Sequence, residues 1–197
     1  MPRETKRVCV FCGAKPGNDP AYAAAAVELG RAIASAGHGV VDGGGRVGLM
    51  GMLADAAMAA GGDVVGYMPQ GLVDREIGHD ELTKLVVTDS MHTRKAAMAD
   101  DADGFVALPG GYGTLDEVLE ILTWNQIGSI SKPVAFLDIS GYFASLFRFF
   151  DEAVDGGLIK PEHRLMAQRA DSVEQALQIA TGPAPPSPSK WTDPTVR

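Results

Sequence analysis

Apolar residues along this chain fall into two patterns. Short uninterrupted runs at 7–13, 39–42, 63–67, 85–87, 104–108 and 133–139 are bounded by glycine, proline or charge, the signature of strands buried on both faces of a sheet. Between them lie longer stretches with helical spacing. The first has Asp19 placed to cap it and Pro20 at its first position, and it stops near residue 36 before Gly37. The second is alanine-rich and ends near residue 60, at Gly61-Gly62. A third spans about 90–100 and carries Met91, His92, Arg94 and Lys95. A fourth, ending near residue 126, places Leu115, Val118, Leu119 and Leu122 on one apolar face. Two more follow at 142–154 and 172–180, the last capped by Asp171 or Ser172. Residues 70–84 are polar and irregular, which suits a loop near the mouth of a site.

Strands alternating with helices predict an α/β fold: a Rossmann-like, doubly wound parallel sheet with helices on both faces. One domain over 1–182 accounts for the pattern. Beyond Gly182 the run Pro183-Ala184-Pro185-Pro186-Ser187-Pro188 cannot hold a helix or a central strand, so 183–197 reads as a Pro-rich, mobile tail.

Charge narrows the classes of partner. With 17 basic and 25 acidic side chains the net charge is −8, and no excess of Lys and Arg is available for a nucleic-acid backbone. A small anion held by one basic cluster remains compatible. No apolar run reaches the 18 residues of a membrane span, and the charged start (Arg3, Glu4, Lys6, Arg7) lacks a signal peptide's apolar region, so the cytoplasm is expected. Cys9 and Cys12 spell C-x-x-C, open to a redox reading. Residues three apart on a strand point to opposite faces, which favours two buried thiols. His38, His79, His92 and His163 have no metal-ligand spacing, and no metal is expected.

The chemistry concentrates in Leu108-Pro109-Gly110-Gly111-Tyr112-Gly113-Thr114-Leu115-Asp116-Glu117. A strand end, a glycine turn and a helix start meet there. Gly110, Gly111 and Gly113 let amides converge on one concavity, and the helix start favours an anion. A phosphate is the natural occupant. The plainer alternative is that Thr114 and Glu117 form a T-x-x-E capping box. Neither G-x-x-x-x-G-K-[ST] nor G-x-G-x-x-G is present. A second glycine turn, Gly43-Gly44-Gly45-Arg46-Val47-Gly48, also follows a strand. Ligands of such sheets bind outside the carboxyl ends of the strands, where both turns fall. Arg94, Lys95, Arg46 and Glu117 then surround one mouth. Arg94 and Lys95 equally suit a solvated helix face, and one of Asp116 and Glu117 is expected to face solvent.

These residues resemble a known family. Pro109 to Glu117 is similar to the P-G-G-x-G-T-x-x-E signature of the LOG (LONELY GUY) family of cytokinin-activating phosphoribohydrolases. Met91-His92-Thr93-Arg94-Lys95 resembles its M-x-x-R-K element, and Gly43 to Gly51 its G-G-G-x-x-G-L-M-G loop. Leu122-Thr123-Trp124-Asn125-Gln126 resembles the helix that follows, and the match covers about 8–159. Two departures flank the expected ligand: Gly13-Ala14-Lys15-Pro16-Gly17 replaces a serine-rich segment, and Asp42 stands where tyrosine is common.

The resemblance implies hydrolysis of the N-glycosidic bond of N6-substituted adenosine 5′-monophosphates, and often of AMP. It implies Arg94 and Glu117 as catalytic residues. Gly110, Gly111, Gly113, Thr114, Lys95, Met91, Gly44 and Gly45 would hold the substrate and its phosphate, with no cofactor. A non-catalytic nucleotide or molybdenum-cofactor carrier of the same fold is the alternative. The label "lysine decarboxylase", common among relatives, requires a pyridoxal phosphate lysine, and Lys95 is the one lysine the motifs bring near the glycine loops. A homodimer is also implied. Part of the apolar surface of Tyr142, Phe143, Phe147, Phe149, Phe150 and Trp124 would serve as its contact, though an ordinary core accounts for that surface as well.

Overall fold

The computed structural model describes residues 5–75 and 78–186. Residues 187–197, most of the expected tail, lie outside them. Seven parallel strands form one sheet in the order β4-β3-β2-β1-β5-β6-β7. They are β1 (Arg7–Phe11), β2 (Gly39–Asp42), β3 (Val64–Pro69), β4 (Lys84–Thr88), β5 (Gly104–Ala107), β6 (Val134–Leu137) and β7 (Ala167–Ala170). The helices are α1 (Pro20–Ser35), α2 (Gly48–Ala59), α3 (Gln70–Val73), α4 (Met91–Asp101), α5 (Tyr112–Gln126), α6 (Ala144–Asp155), α7 (Pro161–Arg164) and α8 (Val173–Thr181). The doubly wound α/β class inferred from the sequence is the class observed.

Alternate strand residues feed two cores. Val8, Val10 and Cys12 face α1, α2 and α8 through Leu29, Ile33, Leu53 and Ala176. Cys9 and Phe11 face α4, α5 and α6 through Met98, Val118, Ile121 and Phe147. The two cysteines are thus free, buried and on opposite faces of the chain, as strand geometry requires. The chain winds outward from β1 through β2 and β3 to β4, then α4 returns it across the sheet to β5 on the other side of β1. That reversal opens a crevice between the loops after β1 and β5, where a doubly wound sheet takes its ligand.

Local signals explain most boundaries. Asp19 accepts a hydrogen bond from Ala21 N at 2.9 Å at the start of α1, and Ser172, rather than Asp171, caps α8 through Gln175 N at 3.1 Å. Two expectations need correction, and one strand went unread. The inward face of α5 carries Thr114, Glu117, Val118, Ile121 and Asn125, whereas Leu119 is 37% exposed and Leu115 and Leu122 are half-buried. Polar side chains occupy the inner face because the helix starts against the site. Tyr142 precedes α6 on a tight 3-10 turn (Ile139–Gly141) in place of opening the helix. β7 has no apolar run to announce it, since Gln168 and Arg169 lie on a sheet edge where polar residues are tolerated.

Candidate active site

Three loops converge at the crevice. Gly13 N donates to Pro109 O at 3.1 Å and Leu49 N donates to Gly13 O at 3.0 Å, tying the loop after β1 to the β5 turn and to α2. Together they enclose a cavity of about 590 Å³, within the range of small-molecule sites. Gly110, Gly111, Gly113, Thr114, Gly43, Gly45, Met91, Arg94 and Glu117 all line it.

α5 opens into this space with Gly111 as N-cap and no side chain bonded to its first amides. The amides of Tyr112, Gly113 and Thr114 lack helical partners by position, so an anion there would satisfy them and meet the positive end of the helix dipole. The capping-box alternative does not hold: Thr114 sits inside the first turn, and the Glu117 carboxylate is engaged elsewhere. At Gly110 a Cβ would collide with the Thr114 side chain, so glycine is what allows the turn to close on the helix.

Opposite this cradle lies a buried ion pair. Arg94 Nη1 donates to Glu117 Oε1 at 2.6 Å, and Arg94 Nε donates to Tyr67 O at 2.7 Å. The two residues are 6% and 8% exposed, so Arg94 is no solvated surface residue. A Cβ on Gly43 would strike Arg94 Nη2, so the second glycine turn provides the guanidinium's seat. Burial raises the Glu117 pKa, and the neighbouring Arg94 charge pulls it part of the way back. Asp116, its neighbour in sequence, is exposed.

Two residues expected at the site are elsewhere. Lys95 Nζ pairs with Asp116 Oδ2 at 3.0 Å and Glu120 Oε2 at 3.1 Å and does not line the cavity. Burial pulls its ammonium down, but the two carboxylates outweigh this and hold its pKa above the ordinary value. Gly44 turns away toward Leu85 and Tyr67, with φ of 74°. Arg46 is likewise drawn off, paired with Asp80 at 2.6 Å on the surface. Among the described residues, the lysine that does reach the cavity wall is Lys15, in the 13–17 loop that departs from the family pattern beside the expected ligand. Tyr22 and Tyr142 were missed too: their rings meet edge to face at 5.5 Å, and Tyr142 Oη donates to Gly110 O at 2.5 Å. For Tyr142 the signal was the Ser140-Gly141 pair, a turn dipeptide just before it, with Ser140 at φ 54°. Met50, Met68 and Leu72 add an apolar wall. Among the described residues, no group of three or more His, Cys, Asp or Glu is placed to hold a metal ion.

Fold and cavity define a Rossmann-like protein in which the glycine-rich start of a helix faces a buried arginine–glutamate pair. Residues 50–180 match the family model described as "Possible lysine decarboxylase". The chain is 45% identical over 172 residues to a probable cytokinin riboside 5′-monophosphate phosphoribohydrolase of Oryza sativa subsp. japonica, covering 87% of this chain and 70% of that one. It is 44% identical over 173 residues to a cytokinin riboside 5′-monophosphate phosphoribohydrolase of Arabidopsis thaliana, covering 88% and 81%. A solved molybdenum cofactor carrier protein of Chlamydomonas reinhardtii superimposes with TM-score 0.67 at 26% identity, covering 88% of this chain and 93% of that one. The chain belongs to the LOG family of phosphoribohydrolases.

Proposed function

We propose that this protein hydrolyses the N-glycosidic bond of adenosine 5′-monophosphates, N6-substituted or not, releasing free base and ribose 5-phosphate. The observation that carries the reading is the Arg94–Glu117 pair standing in one cavity opposite the uncapped start of α5. The 5′-phosphate binds on the amides of the Gly110–Thr114 turn, and this remote anchor brings C1′ of the ribose over Glu117. As the C1′–N9 bond breaks, positive charge grows on the ribose. A carboxylate already fixed there stabilises the transition state more than the ground state. Water supplies the oxygen that bonds to C1′, and its proton leaves with the base. Arg94 keeps Glu117 ionised and oriented. The wall of Met50, Met68, Leu72 and Met91 suits an aliphatic N6 substituent. Lys95 and Gly44 have no contact with substrate in this reading.

The alternative is a carrier that holds a nucleotide-like ligand without cleaving it, favoured by the likeness to the molybdenum cofactor carrier. The buried acid–base pair and the higher identity to the hydrolases support hydrolysis. We further propose a cytoplasmic homodimer. Free thiols at Cys9 and Cys12 suit a reducing compartment, and no helix among the described residues is long and apolar enough to cross a membrane. Phe143, Phe147 and Phe150 are buried in the core and Phe149 stays 60% exposed, so the proposed contact joins Phe149 to the apolar groove of Leu119 and Leu122.

The test is to incubate the purified protein with isopentenyladenosine 5′-monophosphate and with AMP and to quantify base and ribose 5-phosphate. Stoichiometric release of both products supports hydrolysis. Binding of both nucleotides with no release refutes it in favour of a carrier.

A further inference from the structure

Asp42 ends β2 directly beneath the triple-glycine turn and is 1% exposed. Its Oδ1 accepts a hydrogen bond from Gly44 N at 2.8 Å, which pins the turn. Its Oδ2 is buried with no hydrogen-bond partner. Gly43, the residue between them, is the seat against which Arg94 Nη2 rests. A buried carboxyl with an unmatched oxygen is costly, and its position beside the reacting pair supplies a reason for its presence.

We infer that Asp42 is a positioning residue: it sets the Arg94 guanidinium against Glu117 through the glycine turn and, when charged, competes with Glu117 for Arg94. The inference rests on the hydrolytic reading for its kinetic consequences only. Burial raises the Asp42 carboxyl to about 7, opposed by the Gly44 hydrogen bond and by the charges of Arg94 and His79. The titratable and charged groups whose fields reach it are Arg94 on α4, Glu117 on α5, His79 before β4, and Cys9 and Cys12 on and after β1. His79 Nε2 lies 2.9 Å from Asp55 Oδ1, and burial pushes both thiols well up, so they stay neutral near pH 7. Below pH 7 Asp42 is neutral and Arg94 serves Glu117 alone. Above it, a second carboxylate draws on the same guanidinium and repels an anionic substrate.

The test compares the wild type with Asp42→Asn, which keeps an oxygen for Gly44 N, and Asp42→Ala, which does not. In the wild type kcat/KM falls at least threefold from pH 6 to 8 beyond the fall in Asp42→Asn. The substrate phosphate titrates equally in both. Asp42→Ala loses about ten- to a hundredfold in kcat through misplacement of Arg94, and Asp42→Asn recovers most of it. Independently of turnover, the Arg94 Nε nitrogen resonance of the free protein shifts with a midpoint near 7 in the wild type, and that inflection is missing in Asp42→Asn. An inflection that is absent in the wild type, or that persists in Asp42→Asn, overturns the inference. If neither nucleotide is cleaved but the inflection behaves as stated, the hydrolytic reading fails and the role of Asp42 stands.

Discussion

Replacing Arg94 with methionine should destabilise the fold, and more so at alkaline pH. The substitution removes a buried cation of similar length and leaves two groups unmatched: the Tyr67 carbonyl, bonded at 2.7 Å, and the Glu117 carboxylate, bonded at 2.6 Å. Breaking one side of a buried pair costs about 3–5 kcal/mol, which for a chain of this size lowers Tm by about 10 °C. The pH dependence follows from Glu117. Its pKa is already raised by burial, and Arg94 is what opposes the rise. Without Arg94 it rises further, so the folded state binds a proton that the unfolded state has released, and stability falls as pH climbs above the ordinary glutamate range. The cost is smaller at pH 5, where more of the Glu117 carboxyl is protonated, than at pH 8, where more of it must ionise inside the fold. Urea unfolding at the two pH values reads this directly. Arg94→Met/Glu117→Leu should regain most of the loss, because the orphaned charge is gone. A single variant within about 1 kcal/mol of the wild type at pH 8 would mean that the pair is solvated and the reasoning wrong.

Three further outcomes follow from the same geometry. Gly43→Ala puts a methyl where Arg94 Nη2 lies and should lower kcat about a hundredfold while the far-UV circular dichroism stays native; unchanged turnover would show that the seat is not needed. Leu119→Asp, on the exposed ridge of α5, should convert a dimer to monomer in light scattering; an unchanged mass removes this groove as the contact. Ser172→Ala deletes the α8 cap and should cost about 1 kcal/mol, a Tm shift of a few degrees by calorimetry.

Strand positions were legible because a sheet covered on both faces demands unbroken apolar runs; of the two edge strands, β4 keeps the apolar run 85–87, whereas β7 escaped because Gln168 and Arg169 interrupt it. The glycine turns and the Arg94–Glu117 pair were legible from motif order. What spacing alone misread was the face of α5: helical periodicity selects the leucines, yet the site claims the inner face for Thr114 and Glu117. Lys95 illustrates the complementary limit. It adjoins Arg94 in sequence, but one residue along a helix turns a side chain by about 100°, toward Asp116 and Glu120. Tyr142 and Lys15 reach the cavity from loops, where no periodicity reports direction.

The catalytic role proposed for Glu117 is tested most sharply by single-turnover release of ribose 5-phosphate from AMP by Glu117→Gln beside the wild type, with nucleotide affinity determined by calorimetry on both. The variant should bind AMP within a few fold of the wild type, because the glycine turn proposed to hold the phosphate is intact. Its cleavage should fall by about a hundred- to a thousandfold, the scale of one transition-state electrostatic contact. Cleavage at the wild-type rate by the Glu117→Gln variant would contradict a role for this carboxylate in the chemistry.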